Sequence, residues 1–332
     1  MNRSPLPDEA SQSEREAPAA QVVCLGILVA DVIGRPIDAY PERGRLQLVQ
    51  NISPHIGGCA ANTGIGLQVL GVPTRVAGKV GRDGFGAFIR SELSSRGVDA
   101  SGVVQDPDAP TSATMVLVGS DAERTFLHCV GANAYYERRD FDLALLDEAR
   151  LLHIAGHGLM PRFDGAQCAQ VLEAAQARGL MTSLDTAGAP DESWASNLRL
   201  CLPHLDYLVP SLHEVRALYP GENSPESIAT RLLEAGVKTV ALKMGEAGSF
   251  ATDGRESHHV APFRVEARDA TGAGDAFAAG FLAGVLRGLG LEECAQLGNA
   301  AGALCTTQIG TVAGYRSLER TLQFIQEQKG HL

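Results

Sequence analysis

The sequence predicts an α/β protein: a mainly parallel central sheet with helices on both faces, plus a small β-sheet lid. Three observations predict it. From Leu151 onward, short apolar strand-length runs alternate with longer helical patterns, and such βα repeats require parallel strands joined by crossover helices. Near the start, Val22-Val23-Cys24-Leu25-Gly26-Ile27-Leu28-Val29 is apolar without alternation, as in a strand buried on both faces. Two other stretches, Leu46 to Ile52 and Ala113 to Cys129, alternate apolar with polar residues and read as a half-exposed sheet.

Composition narrows the function class. The 332 residues, 45% apolar and 20% charged, suffice for one sizeable core. A net charge of −11 argues against nucleic acid or an anionic membrane as partner and favours small molecules. No apolar run reaches the ~18 residues of a membrane span, and the N-terminus lacks a basic-then-apolar signal, so a cytoplasmic location is expected. The seven cysteines contain no C-x-x-C pair and read as reduced core thiols. The nine histidines do not cluster at ligand spacing, and no zinc site is expected.

Taken in order, residues 1–20 are polar and without apolar period, which predicts a disordered tail before a single domain spanning 21–330. The first strand runs from Val22 and ends at Asp31. A carboxylate there suits two vicinal hydroxyls of a ligand, or simply terminates the strand. The lid is expected from about 32–52 and 112–130. Gly57-Gly58 opens a helix, letting backbone approach a ligand or a neighbouring element, and Asn62 lies one turn inside. Strands follow at Arg75–Val80, Leu151–Ala155, Met181–Asp185, Tyr207–Val209 and Thr239–Lys243. Helices are expected over Ala166–Ala177 and Ile228–Ala235, and after Thr271, Leu291 and Ser317. Ser211-x-x-Glu214 has the pattern of a capping box. Lys243, at a strand end, leads into the turn Met244-Gly245-Glu246-Ala247-Gly248; its charge faces either solvent or a phosphate.

The densest chemistry lies in Arg268-Asp269-Ala270-Thr271-Gly272-Ala273-Gly274-Asp275-Ala276-Phe277, which runs into the apolar stretch Ala278 to Leu286. Glycines flanking a small residue aim successive amides at one point, and a helix N-terminus adds unpaired donors. That combination suits an anion. Asp275 beside it either caps the helix or takes a proton from an alcohol that attacks a phosphoryl group.

The full Asp-x-Thr-Gly-Ala-Gly-Asp string resembles the second signature of the ribokinase-like (PfkB) carbohydrate kinases, and other blocks follow in the family order. Gly57-Gly58-Cys59-Ala60-Ala61-Asn62 resembles the first signature, and Val80-Gly81-Arg82-Asp83-Gly84-Phe85-Gly86 matches a further block. The resemblance implies the ribokinase-like fold, ATP with Mg2+, Asp275 as base, and Gly272, Ala273 and Gly274 as anion hole. It puts Asp31, Gly57, Gly58 and Asn62 on the sugar. It puts Ser211, in place of the usual Asn, Lys243, in place of Thr, and Gly245, Gly248 and Asn299 near the nucleotide. Glu214 would organise Mg2+-bound water. Asp269, Thr271, Gln308, Gly310 and Gly314 match positions that in many members hold a monovalent cation such as K+. A homodimer through the lid is the expected assembly.

The function this implies is transfer of the γ-phosphoryl group of ATP to a hydroxyl of a free sugar. A nucleoside kinase on the same fold and a catalytically silent sugar-binding regulator are the alternatives. Thr111, Ser112 and Ala113 supply no cation for a phosphorylated acceptor, so an unphosphorylated sugar, neutral or mildly acidic, is expected.

Overall fold

The computed structural model describes residues 20–121, 123–188 and 190–329; the tail expected over 1–20 lies outside them except for Ala20. The strands are β1 Val22–Gly26, β2 Val29–Arg35, β3 Asn51–Gly57, β4 Thr74–Gly81, β5 Asp99–Asp106, β6 Ala113–Val118, β7 Arg124–Cys129, β8 Leu151–His157, β9 Met181–Thr186, β10 Tyr207–Leu208, β11 Thr239–Lys243, β12 Ser249–Thr252 and β13 Ser257–Val260. The helices are α1 Cys59–Val69, α2 Gly84–Ser95, α3 Ala166–Gln176, α4 Glu192–Cys201, α5 Leu212–Val215, α6 Pro225–Glu234, α7 Ala273–Leu286, α8 Leu291–Thr306 and α9 Leu318–Lys329.

The central sheet has nine strands in the order β13-β12-β11-β10-β9-β8-β1-β4-β5. Strands β11 to β5 of that order are parallel, and β12 and β13 add an antiparallel edge. Strand β1 shows why its sequence does not alternate. Val22 and Cys24 point to the side packed by α1, α2, α7, α8 and α9, while Val23 and Leu25 point to the side packed by α3, α4 and α6. Both faces are therefore core.

The lid is a four-stranded mixed sheet, β3-β2-β6-β7, with β2 and β6 parallel and the outer pairs antiparallel. Here the period of two holds. Asp31, Ile33, Thr114, Val116, Arg124 and Phe126 face a cavity, and Ile52, Met115 and Leu127 lie exposed.

Three boundaries differ from the sequence reading. The first apolar run is two strands: β1 ends at Gly26, where any side chain would collide with the Ala155 carbonyl of β8, and Val29 begins β2 of the lid. Asp31 consequently sits on the lid, not at the end of a central strand. The predicted strand over Leu46–Ile52 forms only from Asn51, because the register Val29↔Gly57 to Arg35↔Asn51 uses all of β2 on later residues. Leu46 and Leu48 are left exposed. Finally, β12, β13 and α4 form from short or polar segments that carry no strong period.

Candidate functional site

Carboxyl ends of the parallel strands and the N-termini of α1 and α7 meet beneath the lid. The local reason lies in Gly272, the N-cap of α7, which has φ 80° and leaves only 2.6 Å between a would-be Cβ and the Thr311 carbonyl. Only glycine fits that left-handed, closely packed position; the Ala273 N–H that follows donates to the Ala270 carbonyl at 3.2 Å, which leaves the Gly274 N–H as the first unpaired donor of the helix start. Asp275 then falls in the first turn of α7.

Asn62, from the first turns of α1 and nearly fully buried, donates its Nδ2 to Asp275 Oδ2 at 2.8 Å. Its Oδ1 is buried without a partner. Burial pushes the Asp275 carboxyl above the usual range, and the Asn62 donor, the Lys243 charge and a hydrogen bond from Cys59 pull it part of the way back. The α7 N-terminus adds a favourable dipole for a carboxylate.

Lys243, the last residue of β11, is the cation of the site. Its Nζ contacts both carboxylate oxygens of Asp185 at 2.6 Å and comes within 3.2 Å of where a side chain on Gly274 would begin. The ammonium thus stands beside Gly274 at the start of α7. Burial pushes the Asp185 carboxyl up, to about 7, against the attraction of Lys243. Burial opposes the charge on Lys243 too, but Asp185, Asp275 and Glu214 outweigh it and hold its pKa above the ordinary value.

Glu214 and Ser211 form the capping box expected from their spacing. Glu214 Oε2 also accepts from Thr186 Oγ1 at 2.6 Å, which draws it towards Asp185. Three carboxylates, Asp185, Glu214 and Asp275, therefore surround one ammonium, an excess of negative charge suited to a magnesium ion that arrives with phosphates.

Between the lid's inner face and the loop before α7 lies a cavity of about 230 Å³. Asp31, His55, Thr114, Arg124, Phe126, Arg268, Asp269 and Thr271 are among its lining residues. Asp31 is raised by burial, with Thr114, His128 and His55 acting against that rise. Gly57 packs under it, since a side chain there would meet Asp31 Oδ2 at 2.3 Å. Gly58 caps α1 with φ 91° against the Ile27 carbonyl. Arg124, from β7, crosses to Asp269 Oδ1 at 2.7 Å and hydrogen-bonds the Thr271 hydroxyl. Arg268 is exposed; its backbone N–H donates to the Thr306 carbonyl at 2.7 Å, and its guanidinium has no hydrogen-bond or ion-pair partner among the described residues.

Several expected residues are occupied differently. Asn299 donates its amide to the Val260 and Ala261 carbonyls, both at 3.1 Å, tying α8 to β13 and leaving no donor for a nucleotide. Gly248 shapes the β11–β12 hairpin, with its α-carbon against Val260, and Gly245 stands in the open turn before it. Both oxygens of Asp269 are engaged, by Arg124 and Thr271 N–H on one and Gly310 N–H on the other. Although burial pushes that carboxyl up, these donors bring it below the usual range. The set Asp269, Thr271, Gln308, Gly310 and Gly314 therefore offers a monovalent cation no free carboxylate, and Gln308 is exposed while Gly314 is packed on the Leu304 and Cys305 carbonyls.

Positions 111–113, which carry no cation, do not line the cavity. Thr111 is bound to Asp83 and Gly81 N–H, and Ser112 to the Cys129 carbonyl, so they build the lid base. The cations that line the cavity are Arg124 and Arg268. Asp185 is the other residue that sequence reasoning passed over. It lies one residue from the carboxyl end of a buried parallel strand, the same signal that drew attention to Asp31. Arg124 had no signal, because its reach depends on the lid register.

The profile described as "pfkB family carbohydrate kinase" matches residues 19–317. The chain is similar to the 2-dehydro-3-deoxygluconokinase of Bacillus subtilis (strain 168), at 28% identity over 298 residues, 87% of this chain and 92% of that one. It is similar to fructokinase-2 of Zea mays at 28% identity, over 83% of this chain and 87% of the relative. Among solved structures it resembles Arabidopsis thaliana ribokinase complexed with ribose and ATP, with TM-score 0.80, 25% identity and 93% and 99% of the two chains covered. An E. coli protein assigned as a ribokinase II, in complex with ATP and Mg2+, aligns with TM-score 0.82 at 26% identity over 93% and 99% of the chains. No helix among the described residues is long and apolar enough to cross a membrane. With the ordered blocks, the sheet and its lid, and an acid set beside a glycine-lined helix start all agreeing with that profile, the chain belongs to the pfkB family of carbohydrate kinases, phosphotransferases with an alcohol group as acceptor.

Proposed function

We propose that the chain transfers the γ-phosphoryl group of ATP to a hydroxyl of an unphosphorylated sugar acid held under the lid. The observation that carries the catalytic part is the Asn62–Asp275 hydrogen bond beside the Lys243 ammonium. Asn62 fixes the carboxylate oxygen that it holds and leaves the other, Oδ1, to accept the hydroxyl proton as the sugar oxygen attacks. The amides of Gly272 and Gly274, with the Lys243 ammonium beside Gly274, take up charge on the moving phosphoryl group, while the Ala273 N–H is held by the Ala270 carbonyl. Asp185 keeps Lys243 in place. Glu214 and Asp185 would hold Mg2+, directly or through water; bound there, the ion neutralises phosphate charge. No step is assigned to K+, because Asp269 is already paired.

The acceptor class rests on the cavity lining. Asp31, Thr114 and His55 suit sugar hydroxyls, and one unpaired guanidinium, Arg268, suits one carboxylate better than a phosphate dianion. The 2-dehydro-3-deoxygluconokinase relative points the same way. For a nucleoside the lid offers one aromatic face, Phe126. On the lid's outer face, exposed Ile52, Met115 and Leu127 make a second copy of the chain the expected partner. The test is ADP release with ATP and Mg2+ across free hexoses, pentoses, sugar acids, sugar phosphates and nucleosides. A sugar acid should give the highest kcat/KM; fructose 6-phosphate or adenosine in first place would overturn the acceptor assignment.

A further inference from the structure

Strand β8 ends on His157, which is fully buried, and α3 and α4 bring Cys168 and Cys201, also fully buried, to its side. The His157 imidazole and the two thiols each offer a ligand atom, and all three lie within 4.8 Å of one another. Cys201 Sγ is 3.8 Å from His157 Nε2. A fourth group joins from the turn before α3: Asp164 Oδ1 is 3.9 Å from the same Nε2, and its side chain is 3% exposed. Asp164 Oδ2 accepts from Met160 N–H at 2.8 Å, but Oδ1 has no partner, and neither does His157 Nδ1. A buried carboxylate oxygen without a donor is costly, and it lies beside the His157 imidazole. None of these four residues takes part in the phosphoryl-transfer site.

We propose that His157, Asp164, Cys168 and Cys201 form a closed tetrahedral site for a zinc-type divalent ion. The donor set is one imidazole, one carboxylate and two thiolates, which suits zinc; magnesium and calcium would want oxygen throughout, and a copper(I) ion would leave the carboxylate unused. Zinc bonds of about 2.0–2.3 Å place tetrahedral ligand atoms about 3.3–3.8 Å apart; the imidazole and the two thiols, within 4.8 Å of one another, and the Asp164 oxygen, 3.9 Å from Nε2, would draw in on binding. The competing contacts are weak: Gly165 N–H reaches His157 Nε2 at 3.4 Å, and the Cys201 thiol reaches the Gly165 carbonyl at 3.7 Å. On binding, both thiols lose their protons to solvent. Four protein ligands leave no open position, so the ion is structural. It would fasten α3 and α4 to the end of β8, whose His157 pairs in register with Thr186, the residue that holds Glu214. The spacing 157, 164, 168 and 201 hides the set in the sequence, since the fold alone assembles it.

The test uses the full chain, expressed with zinc in the medium, purified without chelator and passed through gel filtration. Elemental mass spectrometry should find about one zinc per chain. Replacement by cobalt(II) should give an intense thiolate-to-cobalt charge-transfer band, and removal of the metal should lower Tm and expose two further reactive thiols. Cys168→Ser, Cys201→Ser and Asp164→Asn should each weaken zinc retention tenfold or more; the wild-type stoichiometry and cobalt spectrum decide the matter even where a variant does not fold. Wild-type protein that takes up no zinc on loading with the metal alone, that carries a Cys168–Cys201 disulfide instead, or that keeps its zinc in the folded variants would overturn the proposal.

Discussion

Asn62 and Asp275 lie 213 residues apart in the chain and are joined by a 2.8 Å hydrogen bond from the α1 amide to the α7 carboxylate. The donor holds the charged form of the acid and fixes which oxygen remains free. Asn62→Leu keeps the volume and removes the donor. It should lower kcat about tenfold or more with little change in the Kd of ATP. Loss of a group that pulls the Asp275 pKa down must raise that pKa further, so the acid limb of the kcat–pH profile should move to higher pH. An unmoved limb would show that the bond does not tune the base.

Lys243 and Asp185 form a buried pair with side chains 11% and 3% exposed. Lys243→Met leaves Asp185 buried and unpaired, and breaking such a pair costs about 3–5 kcal/mol. Urea unfolding should show that loss, and the double variant Lys243→Met/Asp185→Asn should recover most of it. Turnover should not recover, because the cation beside Gly274 is still missing. Recovery of kcat in the double variant would remove Lys243 from the mechanism.

Asp31 gives a stability prediction with a definite sign. Its pKa is raised in the folded chain, chiefly by burial, so the folded state prefers the protonated form. The stability that this preference contributes is complete below the ordinary value of 3.8 and is lost as pH rises through the raised folded value. Asp31→Asn should therefore unfold at the same or a higher temperature than wild type at pH 8, while calorimetry shows acceptor binding weakened and ATP binding kept. A lower Tm at pH 8, or equal weakening for both ligands, would contradict this.

Arg268 is predicted to recognise a carboxylate. Arg268→Gln should raise KM for the best sugar acid about 10- to 100-fold, as expected for a lost charge-assisted hydrogen bond, and change KM for a neutral sugar little. Parallel losses for both acceptors would mean that the guanidinium serves the lid and not the substrate.

The parallel sheet was legible because each βα unit carries its own strand and helix pattern, and the register of β11 follows Thr239–Lys243 residue for residue. The Gly272–Asp275 corner was legible too, since its geometry is local: one left-handed glycine and the helix it starts. What sequence could not show is long-range. Asp31 belongs to the lid because Gly26 must give way to Ala155, a contact between strands far apart in the chain. Arg124 meets Asp269 only through the pairing of β6 with β7, and Asn299 loses its donors to an edge strand with no clear pattern. His157, Cys168 and Cys201 converge across three elements, with no motif spacing to announce them.

In the proposed reaction Asp275 is the general base of phosphoryl transfer. Asp275→Asn keeps the shape of the side chain but removes its capacity to take a proton. Steady-state turnover of the best acceptor from the panel, measured beside calorimetric titrations of ATP and acceptor, is the most direct test. kcat should fall by about 10²-fold or more with both ligands still bound. Near-normal kcat in a folded Asp275→Asn enzyme would contradict it.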